Sequence, residues 1–273
     1  MPRKQDEGGN PLAETRRQAI LEQLGERGSI TVAEVQARFG VSPITARRDL
    51  SQLAERGEAR RTHGGAIRPG AHAHEDAFAR RLSAHVPEKR CLAVAAVTAL
   101  APNPTIFLDS STTSYFVARC LAERGLAATV LTNSLPIANL LFERSPPSIG
   151  VVMVGGTLRR VNRSFVGPLA VQSVREHFPD HLFFSVKALT ADGTLTEADP
   201  LEAEVKQAMM AQAGETILLV DRSKLTARGL VAIAPVQSVT RVETVDLTDG
   251  ELRRLRTLGA RVQNRRRTDV SLD

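Results

Sequence analysis

Two rhythms divide the 273-residue sequence and predict an α/β chain, with a small helical domain in front of an open, largely parallel sheet. The first rhythm is a series of short amphipathic segments bounded by cap signals and closed by a Gly-Gly hairpin. The second, from Lys89 onward, alternates short apolar runs with helical ones. Composition allows both: 42% of the residues are hydrophobic, enough for two packed cores, and no window approaches eighteen uninterrupted apolar residues.

Residues 1–10 read as a loose tail. ETRRQAILEQLGER places Ile20, Leu21 and Leu24 on one side, an amphipathic helix over Glu14–Arg27. Thr31 caps TVAEVQARF, with Glu34 three residues on as in a capping box, and Gly40 ends that helix. Ser42 caps the next, Pro43 takes its first position, where the missing N–H is harmless, and Gly57 stops it. EARRTHGGAIRP then makes two short arms around Gly64-Gly65. Three helices and a two-stranded wing over residues 11–68 amount to a winged helix-turn-helix.

In such a motif the N-terminal half of the second motif helix enters the major groove. Here Ala46, Leu50 and Leu53 share the inward face. Ser42, Pro43, Ile44, Thr45, Arg47 and Arg48 are left outside as candidate DNA-facing residues. An arginine clamps guanine O6 and N7 through two hydrogen bonds, and Thr45 can meet a base edge or a thymine methyl. Arg60, Arg61 and His63 on the wing suit phosphates or the minor groove. The bland alternative is a solvated helix face on which Asp49 supplies a local counter-charge. His63-Gly64-Gly65 is unlike a hydrolase oxyanion loop in context, because the chain has no G-x-S-x-G elbow. The formal charge of +6 agrees with a polyanionic partner.

Residues 69–88 form a connector, within which HEDAFARRL can make a short helix. The α/β domain spans 89–262, with strands at TIFLDS, ATVLTNS, IGVVMVGG, LFFSVKAL, TILLVDRS, VAIAP and ETVDL. Its helices are KRCLAVAAVTAL, TSYFVARCLAER, LPIANLLFER and PLEAEVKQAMMAQA, and residues 263–273 read as a frayed tail. Ligands of such sheets bind at the carboxyl edge. There Asp109, Ser110, Ser111, Thr112 and Thr113 turn from strand to helix, which is either a phosphate cradle or only a well-capped helix. Asn133, Gly155-Gly156 and Lys187 fall at the same edge. Glu202 and Lys206 stand at i and i+4, a surface ion pair on the plainest reading, and Glu204 shares their helix. Lys224 is a phosphate ligand or a loop cation. No Walker A or G-x-G-x-x-G spacing is present, so ATP and NAD are not indicated and no cofactor is expected. Cys91 and Cys120, far apart in apolar patterns, suggest buried thiols rather than a metal site or disulfide. The polar start MPRKQDEGGNP is no apolar signal sequence, and a cytoplasmic protein is expected.

The run VSPITARRDLSQLAERGEARRTHGGAI resembles the signature of the DeoR family of bacterial transcription regulators. LDSSTTSYFVARCL, LTNSLPIANLL, VGGTLRRVNRSFVG, EAEVK and DRSK are similar to successive blocks of its sensor domain, so the resemblance covers about Glu14 to Leu247. It implies a repressor, less often an activator, of carbohydrate-metabolism genes, with a Rossmann-like, sugar-phosphate isomerase-like sensor domain. It further implies that Ser110 to Thr113 cradle a phosphate, that Asn133 and Gly155-Gly156 border the sugar, and that Lys187 with Glu202 or Glu204 faces its polar end. Three positions depart from the pattern: Ala46 for a larger aliphatic, Ser111 for the glycine of D-S-G-T-T, and Ala188 for a glycine. A Cβ at either of the last two would be strained if the backbone took a positive φ.

Three functions compete. The first is a regulator whose operator binding responds to a phosphorylated sugar, acting as a homo-oligomer to match palindromic half-sites. The second is a sugar-phosphate isomerase-like enzyme, for which Glu202 or Glu204 is the evident base; no catalytic residue is assigned. The third is a constitutive DNA-binding protein whose second domain only dimerises.

Overall fold

A computed structural model describes residues 11–27, 29–62, 64–67, 75–225 and 229–269. The tail expected at 1–10 lies outside them. Contacts divide the chain after Ala73 into two compact units, taken one at a time.

In the first unit, α1 (Pro11–Arg27), β1 (Ser29–Thr31), α2 (Val32–Phe39) and α3 (Pro43–Glu55) are followed by β2 (Arg60–Thr62) and β3 (Gly65–Ile67). The cap signals act as expected. Thr31 and Glu34 form a full capping box on α2, Gly40 ends it with φ 62°, and the Ser42 side chain accepts from the Thr45 amide with Pro43 behind it. Ile20, Leu24, Val35, Ala46, Leu50 and Leu53 form a dry core with Ile30 and Ala66. Ala46 is fully buried, so the small side chain is accommodated by close packing rather than by turning outward.

The wing carries an extra strand. β1 pairs with β3 in a three-stranded sheet ordered β1-β3-β2. Three residues, SIT, are too few to display a period of two, which is why the sequence pattern predicts no strand there. Gly65 lies opposite Thr31, and a Cβ on it would come 2.0 Å from the Ile30 carbonyl oxygen. Gly65→Ala must therefore push β1 off β3 and is expected to lower stability by about 1–3 kcal/mol, seen as a lower thermal midpoint. Gly64→Ala, with open space at its Cβ, is expected to stay within about 0.5 kcal/mol of the parent.

The second unit opens with α4 (Glu75–Ser83) and α5 (Val86–Thr98), so residues 75–88, read as connector, contribute a helix and the first turn of the next. Phe78 of α4 is buried and meets the Tyr115 ring edge-on. There follow β4 (Thr105–Leu108), α6 (Thr112–Arg124), β5 (Ala128–Thr132), α7 (Leu135–Arg144) and β6 (Ile149–Met153). A hairpin of β7 (Thr157–Arg159) and β8 (Ser164–Val166) leads to α8 (Pro168–Arg175) and β9 (His181–Phe184). After β10 (Ala188–Leu189) and β11 (Thr194–Glu197) come α9 (Pro200–Gln212), β12 (Glu215–Val220), β13 (Val231–Pro235), β14 (Arg241–Val245), α10 (Asp249–Thr257) and β15 (Val262–Arg265).

Seven strands form one parallel sheet in the order β15-β14-β12-β9-β4-β5-β6. Both faces are covered, as the near-continuous apolar strands demand. Phe107 points into the cluster built with α8, α9 and α10, while Ile106 and Leu108 point into the one built with α5, α6 and α7. Two expectations change here. VAIAP is not in this sheet but in an antiparallel one with β10 and β11, and residues 263–265, expected to fray, belong to the edge strand β15. Pairing explains the second: β15 aligns with β14, and Arg265 reaches the buried Glu243 at 2.9 Å. Among the described residues no helix is long and apolar enough to cross a membrane.

From β4 the order runs outward through β5 and β6 on one side, and from β9 through β12, β14 and β15 on the other. The adjacent pair β4 and β9 is thus the switch point, outside whose carboxyl ends a crevice is expected.

Candidate functional site

On α3 the side chains separate as the helical period requires. Ala46, Leu50 and Leu53 are buried, Arg47 and Arg48 are exposed, and Ile44 is 77% exposed, a large aliphatic group with no apolar neighbour to cover it. Neither Arg47 nor Arg48 has a side-chain partner among the described residues. Pro43 is exposed at the helix start. The Ser42 and Thr45 hydroxyls lie 2.9 Å apart, so Thr45 shares the capping arrangement.

Asp49 corrects the reading that it balances those arginines. It is 3% exposed, turned into the unit, and bound to Arg16 at 2.6 Å and Arg17 at 3.4 Å. With this counter-charge turned inward, Arg47 and Arg48 are the only charged side chains on the outer face of the N-terminal half of α3. On the wing, Arg61 donates to the Gly65 carbonyl at 2.9 Å and so helps close the turn. His63 and the Arg60 side chain lie outside the described residues.

In the second unit a cavity of about 260 Å³ opens at the carboxyl ends of β4 and β9. That is below the range of drug-sized sites and suits a small metabolite. Ser110, Ser111, Thr112 and Thr113 line it, as do Lys187 and Lys224. Ser111 is the N-cap of α6 at φ −75°, and its hydroxyl accepts from the Ser114 amide at 3.1 Å. The amides of Thr112 and Thr113, in the first turn, lack intrahelical carbonyl partners and sit at the positive end of the helix. Neither Ser111 nor Ala188 takes a positive φ, so the strain feared at both positions does not arise.

Other expected residues take supporting places. Asp109 is buried: Oδ1 accepts from the Ser111 amide and the Ser114 hydroxyl, and Oδ2 from the Ser185 amide and Lys206 Nζ. Glu202, also buried, accepts from Ser110 at 2.8 Å, Asn162 at 2.8 Å and Ser164 at 2.5 Å. It does not pair with Lys206; that ammonium instead meets Asp109 at 2.6 Å and Glu197 at 3.1 Å. Glu204 is exposed on α9 and Asn133 is buried with its amide on the Phe165 carbonyl; neither lines the cavity. Gly155 and Gly156 do not line it either. Gly156 has φ 143°, and a Cβ there would come 2.8 Å from the Val166 carbonyl, so this glycine serves the packing of β8 and α8.

The cavity also holds cations that the sequence did not single out. Arg81 reaches in from α4 and donates to Asn162 Oδ1 at 2.7 Å. Arg159 on β7 meets Asp199, the N-cap of α9, at 3.1 Å. Burial pushes Arg81 below its ordinary value against the pull of Glu197, Glu202 and Asp109. Burial, with repulsion from Lys187, Arg81 and Lys206, holds Lys224 below the usual lysine range despite Asp221. The hydroxyl of Ser185, 3% exposed and on the cavity wall, has no hydrogen-bond partner among the described residues. Five cations against Glu197 and Asp199, a helix N-terminus and an unsatisfied hydroxyl describe a site for a small, hydroxylated anion. α4 itself is gripped by Lys89, which donates to the carbonyls of Arg81 and Ala84 and which burial pushes down to about 8.

Residues 16–70 match the family model of the DeoR-like helix-turn-helix domain, and residues 84–245 that of the DeoR C terminal sensor domain. The chain is 36% identical over 245 residues to the HTH-type transcriptional repressor CsqR of Escherichia coli, covering 90% of this chain and 91% of that protein. It is 32% identical to the HTH-type transcriptional regulator GlpR of Haloferax volcanii (88% and 91% covered). It is 31% identical to the glycerol-3-phosphate regulon repressor of Haemophilus influenzae (86% and 90%). Among solved structures, ribose 5-phosphate isomerase A of Methanocaldococcus jannaschii matches 50% of this chain and 53% of its own at 19% identity and TM-score 0.37, too remote to bear on activity.

Proposed function

Because the chain belongs to the DeoR family of transcriptional regulators, we propose that it represses carbohydrate-metabolism genes and that a phosphorylated sugar in the cavity of the second unit modulates its hold on operator DNA. The observation that carries this reading is the cation-rich cavity at the start of α6. A phosphate dianion there relieves the mutual repulsion of Lys187, Lys224 and Arg81, and the carboxylates of Glu197 and Asp199 suit the hydroxyls of a sugar. The name of one relative, the glycerol-3-phosphate regulon repressor of Haemophilus influenzae, agrees with a phosphate ester.

Ser110 to Thr113 would then cradle the phosphate, with Lys187 and Lys224 beside it. Asp109 and Glu202 act at one remove, by fixing the turn and the hairpin, while Asn133, Gly155 and Gly156 support the frame. Ile44, Thr45, Arg47 and Arg48 would enter the major groove, with Ser42 and Pro43 near the backbone and Arg60, Arg61 and His63 at phosphates. Coupling runs through α4: Arg81 joins its fate to the occupant of the cavity, and α4 is the helix through which the second unit continues the chain from the wing. A ligand that draws Arg81 inward favours one placement of α4 over another. Palindromic operators imply a homo-oligomer, working in the cytoplasm where the DNA is.

The isomerase reading is weak because both oxygens of Glu202 are hydrogen-bonded within the protein, leaving no free base at that position. The constitutive reading loses its motive with the unstrained Ser111 and Ala188.

Thermal unfolding with a panel of phosphorylated and plain sugars tests the proposal. A phosphate ester at a hundred times its Kd is expected to add about 2.7 kcal/mol to the second unit's stability, and the unphosphorylated sugars nothing. If no phosphate ester raises the midpoint, or if plain sugars do so equally, phosphate sensing is wrong.

A further inference from the structure

The charge of this chain is unevenly spread. Residues 74–248 contain seventeen basic and seventeen acidic residues, yet residues 249–269 contain seven arginines against Asp249, Glu251 and Asp269. Arg253, Arg254 and Arg256 lie on α10, Arg265 ends β15 at the open edge of the parallel sheet, and Arg266 and Arg267 follow that strand. Leu252 and Leu255 turn inward and fix the helix, which leaves Arg253 and Arg256, three apart, sharing an outer face. Arg261 follows in the turn before β15. Arg253, Arg254, Arg256 and Arg261 are all exposed, and no hydrogen bond or ion pair engages their side chains among the described residues. Arg265 and Arg267 differ, being bound to Glu243 and to Asp246 and Glu88.

We infer that the α10 and β15 edge is a second DNA contact, which holds the phosphate backbone of duplex outside the sequence read by α3. Ordinary roles use only part of this charge. Guarding an edge strand accounts for Arg265, and favouring a helix C-terminus accounts for Arg254 or Arg256. Arg253 and Arg261 serve neither. Guanidinium groups match phosphate oxygens bidentately. Duplex DNA is the polyanion that the same chain already brings close, so individually weak contacts act at high effective concentration. The inference rests on the DNA-binding reading of the first unit and adds a contact which that reading does not need.

The test is the salt dependence of binding by the full chain, on an operator recovered by selection from a random duplex library and on a long random-sequence duplex. Each phosphate that the protein no longer neutralises takes about 0.9 from the slope of log K against log salt, so the triple variant R253A/R256A/R261A is expected to show a slope shallower by about 2–3. Near physiological salt its affinity should fall by about tenfold or more, equally on operator and random duplex, since phosphates carry no sequence. The triple lysine variant should keep most of the slope, and both variants should melt close to the parent because the three side chains are exposed and make no hydrogen bond or ion pair among the described residues. An unchanged slope in the triple alanine variant overturns the inference and returns the face to an acidic protein partner. An equal fall in R144A/R175A, exposed arginines elsewhere on the unit, also overturns it. If the parent fails to prefer operator over random duplex, the regulator reading fails by itself, and the slope comparison still decides this one.

Discussion

Lys206→Met is expected to destabilise the second unit by about 3–5 kcal/mol, because it strips the counter-charge from two buried carboxylates at once. Lys206 is 4% exposed, and its ammonium lies 2.6 Å from Asp109, 3.1 Å from Glu197 and 2.6 Å from the Ser185 carbonyl. Burial opposes its charge, but Asp109 and Glu197 more than offset this and hold it above the ordinary lysine value. Without it, Asp109 can no longer organise Ser111 and Ser114, and the phosphate cradle loosens with the core. Differential scanning calorimetry should show the midpoint falling by roughly 10 °C for a unit of this size. Lys224→Ala provides the contrast. That ammonium is depressed by burial and by its cationic neighbours, so removing it is expected to leave stability within about 0.5 kcal/mol, or raise it slightly, while phosphate-ester binding weakens. Equal losses in the two variants would mean that cavity charges and structural charges are not separate sets.

In the first unit, Asp49→Ala and Arg47→Ala should both weaken operator binding, for different reasons. Asp49 accepts from Arg16 and Arg17, and Arg17, 6% exposed, is bound further to Gln52 at 2.5 Å and to Glu14. Deleting the carboxylate leaves a buried guanidinium without its inner partner, a loss of about 3 kcal/mol or more in a unit small enough to have little in reserve. Circular dichroism should therefore show early unfolding of the first unit. Arg47→Ala touches no packing and is expected to melt within about 0.5 kcal/mol of the parent while losing about 1–3 kcal/mol of discrimination on the selected operator. A variant Arg47→Ala that binds operator and mutated operator in the parental ratio would remove Arg47 from base reading.

What the sequence displayed was whatever depends on near neighbours. Ser42-Pro43, Thr31 with Glu34, and Gly40 each act within four residues, and the strand-to-helix turn at Ser110 to Thr113 follows from chain order alone. The side of Asp49 was misread for the same reason. Its partners stand 32 and 33 residues away, and nothing beside it in the chain points inward. The cavity repeats the lesson. Arg81 meets Asn162 across 81 residues and Lys206 meets Asp109 across 97, so a helix taken for connector and a lysine taken for a surface partner both belong to the site. β15 escaped notice because VQNR has no apolar alternation; it is a strand because β14 offers it an edge.

Asp109 divides its two oxygens between neighbouring regions of the sheet. One holds the turn after β4 and the start of α6; the other holds the segment after β9 and, through Lys206, α9. The β4–β9 ladder and the apolar cluster shared by Leu108, Phe183 and Ile217 already join the two sides of the switch point. A carboxylate on that seam adds a polar tie to the same joint, so amide protons on both sides should exchange together, and lose protection together when Asp109 is replaced.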